Sequence, residues 1–255
     1  PGVTRGKQWF SLPGGFDFMD TPGMLWPKID TDEMGFMLAF TGTIRDEILD
    51  LAKAADAASE KYGVDIIFTC PVVDIRRVKE NTKHIHVFAP HMDPIPVGRG
   101  LADILPESLV AAGAEGVMLN HCEKPLSFDV LQETIRRADE VGLTTIVCAD
   151  SLADAGKIAA LKPDIIVAEP SELIGTGVSV GSEYVEAATR SVKDVNQNIL
   201  VLTAAGIANG DDVYNTIIAG ADATGSSSGV AKAEDRAAMV DEMIAAVRRA
   251  WDERN

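Results

Sequence analysis

From Gly35 onward, short apolar runs alternate with longer amphipathic stretches. Residues 36–40 form the first run. Residues 43–62 follow with Ile44, Ile48, Leu51, Ala52 and Ala55 on one face at helical spacing, and Gly63 stands as a stop. The same alternation places further strands at 64–68, 86–89, 116–119, 144–148, 164–168, 199–202 and a weak last one at 222–225. Helices are predicted at about 74–80, 106–112, 128–141, 151–161, 182–195, 211–219 and 234–251, with Ser151 as an N-cap. The strand runs are apolar on both faces, as in parallel sheets covered by helices. Eight such units in one chain predict a closed (β/α)8 barrel, with an open doubly wound sheet as the alternative. Residues 34–255 form this domain. Residues 1–33 read differently: Trp9, Phe10, Phe16, Phe18 and Trp26 sit among Gly and Pro, predicting an irregular N-terminal extension packed on the barrel or on a neighbouring subunit.

Composition narrows the function classes. The net charge of −16 over 255 residues argues against nucleic-acid partners and anionic membranes, which need clustered Lys and Arg. Any anionic substrate must then be held by backbone N–H groups or by a few placed cations. Three cysteines at wide, unpatterned spacing are neither a disulfide framework nor a zinc pattern, and they point to a reducing compartment. No apolar run approaches membrane-spanning length, and residues 1–11 show no signal-peptide core. A cytoplasmic protein is the expectation. Barrels of this kind usually assemble, so a homo-oligomer is expected as well.

In a βα barrel the chemistry sits where strands end. The most polar strand end is Asn120-His121-Cys122-Glu123. A histidine there can polarise a carbonyl, and Glu123 can orient it or pair with a cation. Glu169 stands at the end of the run 164–168, followed at once by Pro170 and, six residues on, by Gly175-Thr176-Gly177. That pattern fits a base on a rigid strand under a mobile lid. Thr224-Gly225-Ser226-Ser227-Ser228-Gly229 can cradle a phosphate, with Gly206 and Gly177 approaching from neighbouring loops. His91, among Pro90, Pro94 and Pro96, reads as part of a rigid wall, whereas His84 and His86 start a strand and belong to the stability face. A metal site from His91, His121 and Glu169 lacks any short-spaced ligand pair.

Asn120-His121-Cys122-Glu123, Ala168-Glu169-Pro170-Ser171-Glu172-Leu173-Ile174-Gly175-Thr176-Gly177, Ala205-Gly206-Ile207 and Ser228-Gly229-Val230-Ala231-Lys232-Ala233 together resemble the triosephosphate isomerase family, in its compact archaeal form. The likeness runs from about Gly35 to the C-terminus. It implies a TIM barrel, no cofactor and a small phosphorylated substrate. It also implies roles: Glu169 as the base moving a proton between adjacent carbons, His121 as the neutral electrophile, residues 170–177 as the lid, and Gly177, Gly206, Ser227 and Ser228 around the phosphate, with Glu123 and Asn120 beside them. These roles come from the resemblance, not from spacing.

One departure stands out. The family's first strand ends in Asn-x-Lys, and here Ala39 and Thr41 take those places. A threonine cannot supply the cation that helps bind phosphate and stabilise an enediolate. Arg99, Lys7 or Lys28 is the candidate replacement. The leading expectation is an aldose–ketose isomerase with altered specificity, acting on a small sugar phosphate or related hydroxycarbonyl compound. The alternatives are an epimerase, aldolase or lyase reusing the base, or a non-catalytic metabolite-binding homologue.

Overall fold

The computed structural model describes residues 8–12, 16–20, 45–170, 180–204 and 206–254. Strands β1 (Gln8–Leu12) and β2 (Phe16–Asp20) pair antiparallel, with Gln8 opposite Asp20 and Leu12 opposite Phe16. The N-terminal stretch expected to be irregular therefore contains a strand pair. Its Gly and Pro content masked two aromatic-bearing runs of high strand propensity. The predicted first barrel strand at 36–40 and the candidate site residue Thr41 lie outside the described residues.

The remaining elements alternate. Helix α1 (Arg45–Tyr62) leads to β3 (Ile66–Thr69), a 3-10 turn (Val72–Asp74) and α2 (Ile75–Asn81). Then come β4 (Ile85–Ala89), α3 (Pro106–Ala112), β5 (Gly116–Leu119), α4 (Phe128–Val141), β6 (Thr144–Ala149), α5 (Leu152–Ala159) and β7 (Ile165–Ala168). The chain ends with α6 (Ser182–Lys193), β8 (Leu200–Thr203), α7 (Gly210–Ile218), β9 (Ala223–Thr224), the short α8 (Ser228–Ala231) and α9 (Arg236–Arg254). Strands β3 to β9 form one parallel sheet in sequence order. The helix ring closes around it, since α9 packs on both α7 and α1. Tyr62 and Lys61 bond Asp241, and Arg236 reaches Glu47, across that seam. This is the α/β architecture of a TIM barrel.

Residue parity along the strands separates two apolar layers. Val87, Ala89, Val117, Leu119, Val147, Ala149, Ile166 and Val201 face the helices in the main core. Phe88, Ile146, Cys148, Ile165 and Val167, with Ile67, Met118 and Leu202, fill the barrel interior as a second cluster. Each fully buried aliphatic side chain contributes about 1.5–3 kcal/mol. Gly116 makes room for the interior ring of Phe88, whose nearest carbon would lie 2.2 Å from a Cβ at that position.

The N-terminal ends of the strands are tied by carboxylates. Asp164 accepts the Thr145 N–H at 2.7 Å, and Asp222 accepts that of Val201 at 2.9 Å. Asp56 on α1 accepts three backbone N–H groups, from Lys83, His84 and Ile85, and so anchors the start of β4. Burial works to raise the Asp56 pKa, but these bonds and the nearby His84 outweigh it and hold the carboxyl below its ordinary value. Its stabilisation is therefore fully present above the unfolded carboxylate pKa and is lost as pH falls through the lower folded value. Asp56→Asn is expected to cost about 1–3 kcal/mol at neutral pH. The deficit should shrink below roughly pH 4 in denaturant titrations, and a pH-independent deficit would contradict the ionic anchor. His86 sits at this same end with Nδ1 2.7 Å from Glu115, in keeping with a stabilising position.

Candidate active site

The C-terminal end of β5 builds the first half of the site. Asn120 adopts the left-handed region, φ 58°, which turns the chain sharply at the strand end. Its amide nitrogen donates to Cys148 O on β6 at 2.9 Å, and its oxygen accepts the Leu126 N–H at 2.9 Å. The sequence places Asn120 among the substrate contacts. In the structure its carboxamide braces the loop that carries His121. Within that loop the Lys124 N–H donates to His121 O at 2.8 Å, and the Glu123 N–H donates to His121 Nδ1 at 3.3 Å. A ring nitrogen that accepts an N–H bond holds no proton, so this contact favours the tautomer that carries its proton on Nε2. The backbone of Glu123, rather than its carboxylate, orients the imidazole. That carboxylate is exposed and makes no ion pair among the described residues.

Glu169 follows β7 directly, and its N–H donates to Ala149 O at 3.1 Å, extending the β6–β7 ladder by one bond. It is half-buried. Burial, and then the charge of Asp150, raises its pKa. A carboxylate held this way is a stronger base than an exposed one. The electrostatics also show what surrounds it. The Cys122 thiol is pushed up by burial and by Glu123, Asp150 and Glu169. The Cys148 thiol is pushed up to about 12 by burial and by Glu169, Cys122 and Asp150. The loop bearing His121 and the end of β7 bearing Glu169 therefore face one space.

The second half lies after β8 and β9. Gly206 has φ 76°, a conformation suited to glycine, and Ser226 Oγ donates to Ile207 O at 2.7 Å, pinning the two loops together. Ser227 precedes α8 and makes no side-chain cap bond, while the Ala231 and Lys232 N–H groups bond Ser227 O and Ser228 O. The N–H groups of the first turn have no partner within the helix and remain available to an anion. Gly206, Ser227 and Ser228 are thus brought together, whereas Gly177 and residues 171–179 lie outside the described residues.

His91 is buried, with Nε2 3.2 Å from Asp93, and Asp93 in turn accepts the Ile104 N–H at 2.7 Å, so this loop is braced as a wall. Among the described residues no His, Cys, Asp and Glu group could hold a metal ion. Arg99 is exposed on its loop and forms no ion pair among the described residues. Arg137 bonds Ile95 O on this wall, and the charge of Lys124 reaches it too: burial works to raise the Asp93 pKa, and the Ile104 N–H, His91 and Lys124 more than offset it. Sequence reasoning missed Lys124 and Asp150. Asp150 stands two positions past the run 144–148, a polar residue at a strand end to which the sequence assigns no role.

Known proteins match this arrangement. Residues 40–244 match the sequence profile of the family described as Triosephosphate isomerase. The triosephosphate isomerase of Saccharolobus solfataricus is 36% identical over 214 residues, covering 83% of this chain and 94% of that protein. That of Methanocaldococcus jannaschii is 36% identical over 208 residues, covering 80% and 94%. That of Methanothermus fervidus is 37% identical over 202 residues, covering 78% and 90%. With its parallel barrel, its strand-end glutamate and its backbone-oriented histidine, the chain belongs to the triosephosphate isomerase family.

Proposed function

We propose that this protein is an aldose–ketose isomerase that interconverts triose phosphates, or a closely related small hydroxycarbonyl compound, through an enediolate. The observation that carries the reading is the bond from the Glu123 N–H to His121 Nδ1, which leaves Nε2 as the ring's donor, on the same loop as Cys122, whose thiol feels the charge of Glu169. In this reading the Glu169 carboxylate takes a proton from the carbon next to the carbonyl. The carbonyl oxygen gains negative charge and is stabilised by His121 Nε2–H. The Glu169 carboxyl then returns its proton to the former carbonyl carbon, while a proton passes from the hydroxyl on the first carbon to the former carbonyl oxygen, so the C=O double bond moves to the adjacent carbon and the atoms balance. Ser227, Ser228 and Gly206 would hold the phosphate by backbone N–H groups and hydroxyls, and residues 170–177 would close over it.

A shifted substrate preference is part of this proposal, because Thr41 replaces the family's first-strand lysine. The test is incubation with dihydroxyacetone phosphate, and in parallel with unphosphorylated dihydroxyacetone, in deuterated water. Isomerisation predicts the aldose product and deuterium at one carbon. Two carbon fragments would indicate a lyase instead. No deuterium incorporation from either compound would refute the isomerase reading.

A further inference from the structure

We propose that Asp150 is a positioning residue of the isomerase site, a second carboxylate at the barrel mouth that acts on the substrate proton through Glu169. The inference rests on the isomerase reading given above and adds a residue to it. Parity carries it. On β6, Ile146 and Cys148 point into the barrel; on β7, Ile165 and Val167 do the same. Each strand ends one residue later, and carried one step past Ala149 and Ala168 the same parity falls on Asp150 and Glu169. The ladder pairs Ile146 with Ile165, Cys148 with Val167 and Ala149 with Ala168, and the Glu169 N–H bond to Ala149 O continues it past the last pair. Asp150 and Glu169 are therefore lateral neighbours on adjacent parallel strands, about 5 Å apart at the backbone and on the same side of the sheet.

The surroundings make this pair electrostatically consequential. The charged and titratable groups that interact with Glu169 are Asp150 and the Cys148 thiol at the end of β6, and Cys122 from the loop after β5, where Glu123 acts on Cys122 in turn. From β8 come the neutral Leu202 and Thr203, and Glu172 lies outside the described residues. Both cysteines are held well to the thiol side by burial and by these carboxylates, so they contribute no charge near neutral pH. Glu123 and Asp150 are both exposed at the barrel mouth, but Asp150 directly follows β6, the strand paired with the one that ends at Glu169. Two like charges side by side favour leaving a proton on one of them, and Glu169, the more buried, is the one whose affinity rises. A carbon-bound proton is weakly acidic, so a more basic acceptor lowers the barrier to removing it.

The test is Asp150→Asn, with Asp150→Glu as the conservative variant. For Asp150→Asn the acid limb of kcat/KM against pH should move to lower pH. At a pH below the wild-type midpoint, the variant should keep about threefold more of its own plateau activity than wild type keeps of its plateau. The plateau itself should fall about threefold, because the base is weaker. Asp150→Glu should restore the wild-type limb. A ¹³C titration of the Glu169 carboxyl in wild type and Asp150→Asn reads the same coupling without turnover. Coincident midpoints in that titration, or an unmoved acid limb with a normally folded variant, overturn the proposal. A displaced ¹³C midpoint in a protein that isomerises nothing would uphold the coupling and refute the isomerase reading instead.

Discussion

Glu169→Gln is expected to lose about three orders of magnitude in kcat while folding normally and becoming more stable. Both effects come from the same placement. Glutamine keeps the size and the position at the end of β7, and its backbone N–H still reaches Ala149 O, so the ladder survives. It cannot accept a carbon-bound proton. The gain in stability follows from linkage. Burial and Asp150 raise the Glu169 pKa in the folded protein, so the native state holds that proton at a pH where the unfolded chain has released it. Below the unfolded carboxylate pKa the group contributes nothing either way. As pH rises through the folded pKa the penalty grows, and above that value it is complete. Glutamine carries no charge to penalise, so the variant should gain about 0.5–2 kcal/mol at neutral pH. That advantage should fade in acid. Denaturant titrations at several pH values, together with the deuterium-exchange assay, check both halves. A variant that retains turnover rules out Glu169 as the base. A variant less stable than wild type at neutral pH would show that the carboxylate has a compensating partner.

The barrel was legible because its strands are short, buried on both faces and separated by helices with clear stops. Strand β5 and helix α4 fall on the residues the pattern predicts, the first set off by Gly116 and the second closed by Gly142 in the left-handed region. Ser151 caps α5 as expected, accepting the Asp154 N–H. Ends that depend on tertiary pairing were less accessible: β9 keeps only two residues, because Ala223 and Thr224 alone find partners on β8. At the site, Glu169 and His121 stood out as polar residues at apolar strand ends. What a sequence cannot display is which atom does the orienting. The His121 ring is bonded by a backbone N–H, which every residue but proline possesses, so the sequence shows the Glu123 carboxylate but not the contact its amide makes. Asn120, read as a polar strand-end residue, likewise shows only in the structure that its carboxamide bonds Cys148 O and the Leu126 N–H. Asp150 is legible as a polar residue at a strand end, but its pairing with Glu169 becomes visible only through the β6–β7 register.

Gly229→Ala is expected to cost about a hundredfold in kcat/KM for a phosphorylated substrate, and far less for an unphosphorylated one. A Cβ at this position would lie 2.5 Å from Ile207 O, 2.6 Å from Ser226 Oγ and 2.9 Å from the Ala208 Cα. Ser226 Oγ could rotate away, but only by giving up its 2.7 Å bond to Ile207 O. The other two neighbours are backbone and cannot yield without moving the loop after β8. Either the segment 226–229 or the segment 206–208 must therefore shift, and these two carry Ser227, Ser228 and Gly206, the groups proposed to surround the phosphate. The strain should also lower stability by about 1–3 kcal/mol, so activity is to be compared well below the melting temperature. Ser227→Ala is the gentler counterpart: it removes an exposed hydroxyl without crowding the backbone, and about a tenfold rise in KM is expected. Thermal protection by inorganic phosphate supplies a readout independent of turnover. Wild type should be stabilised by millimolar phosphate, and Gly229→Ala should not. Because the chain carries a net charge of −16 and Thr41 offers no cation, this cradle has to capture the anion mainly with backbone N–H groups and hydroxyls, so its geometry counts for more than it would beside a lysine. If Gly229→Ala binds phosphate and turns over its substrate as wild type does, the anion site lies elsewhere in the barrel mouth.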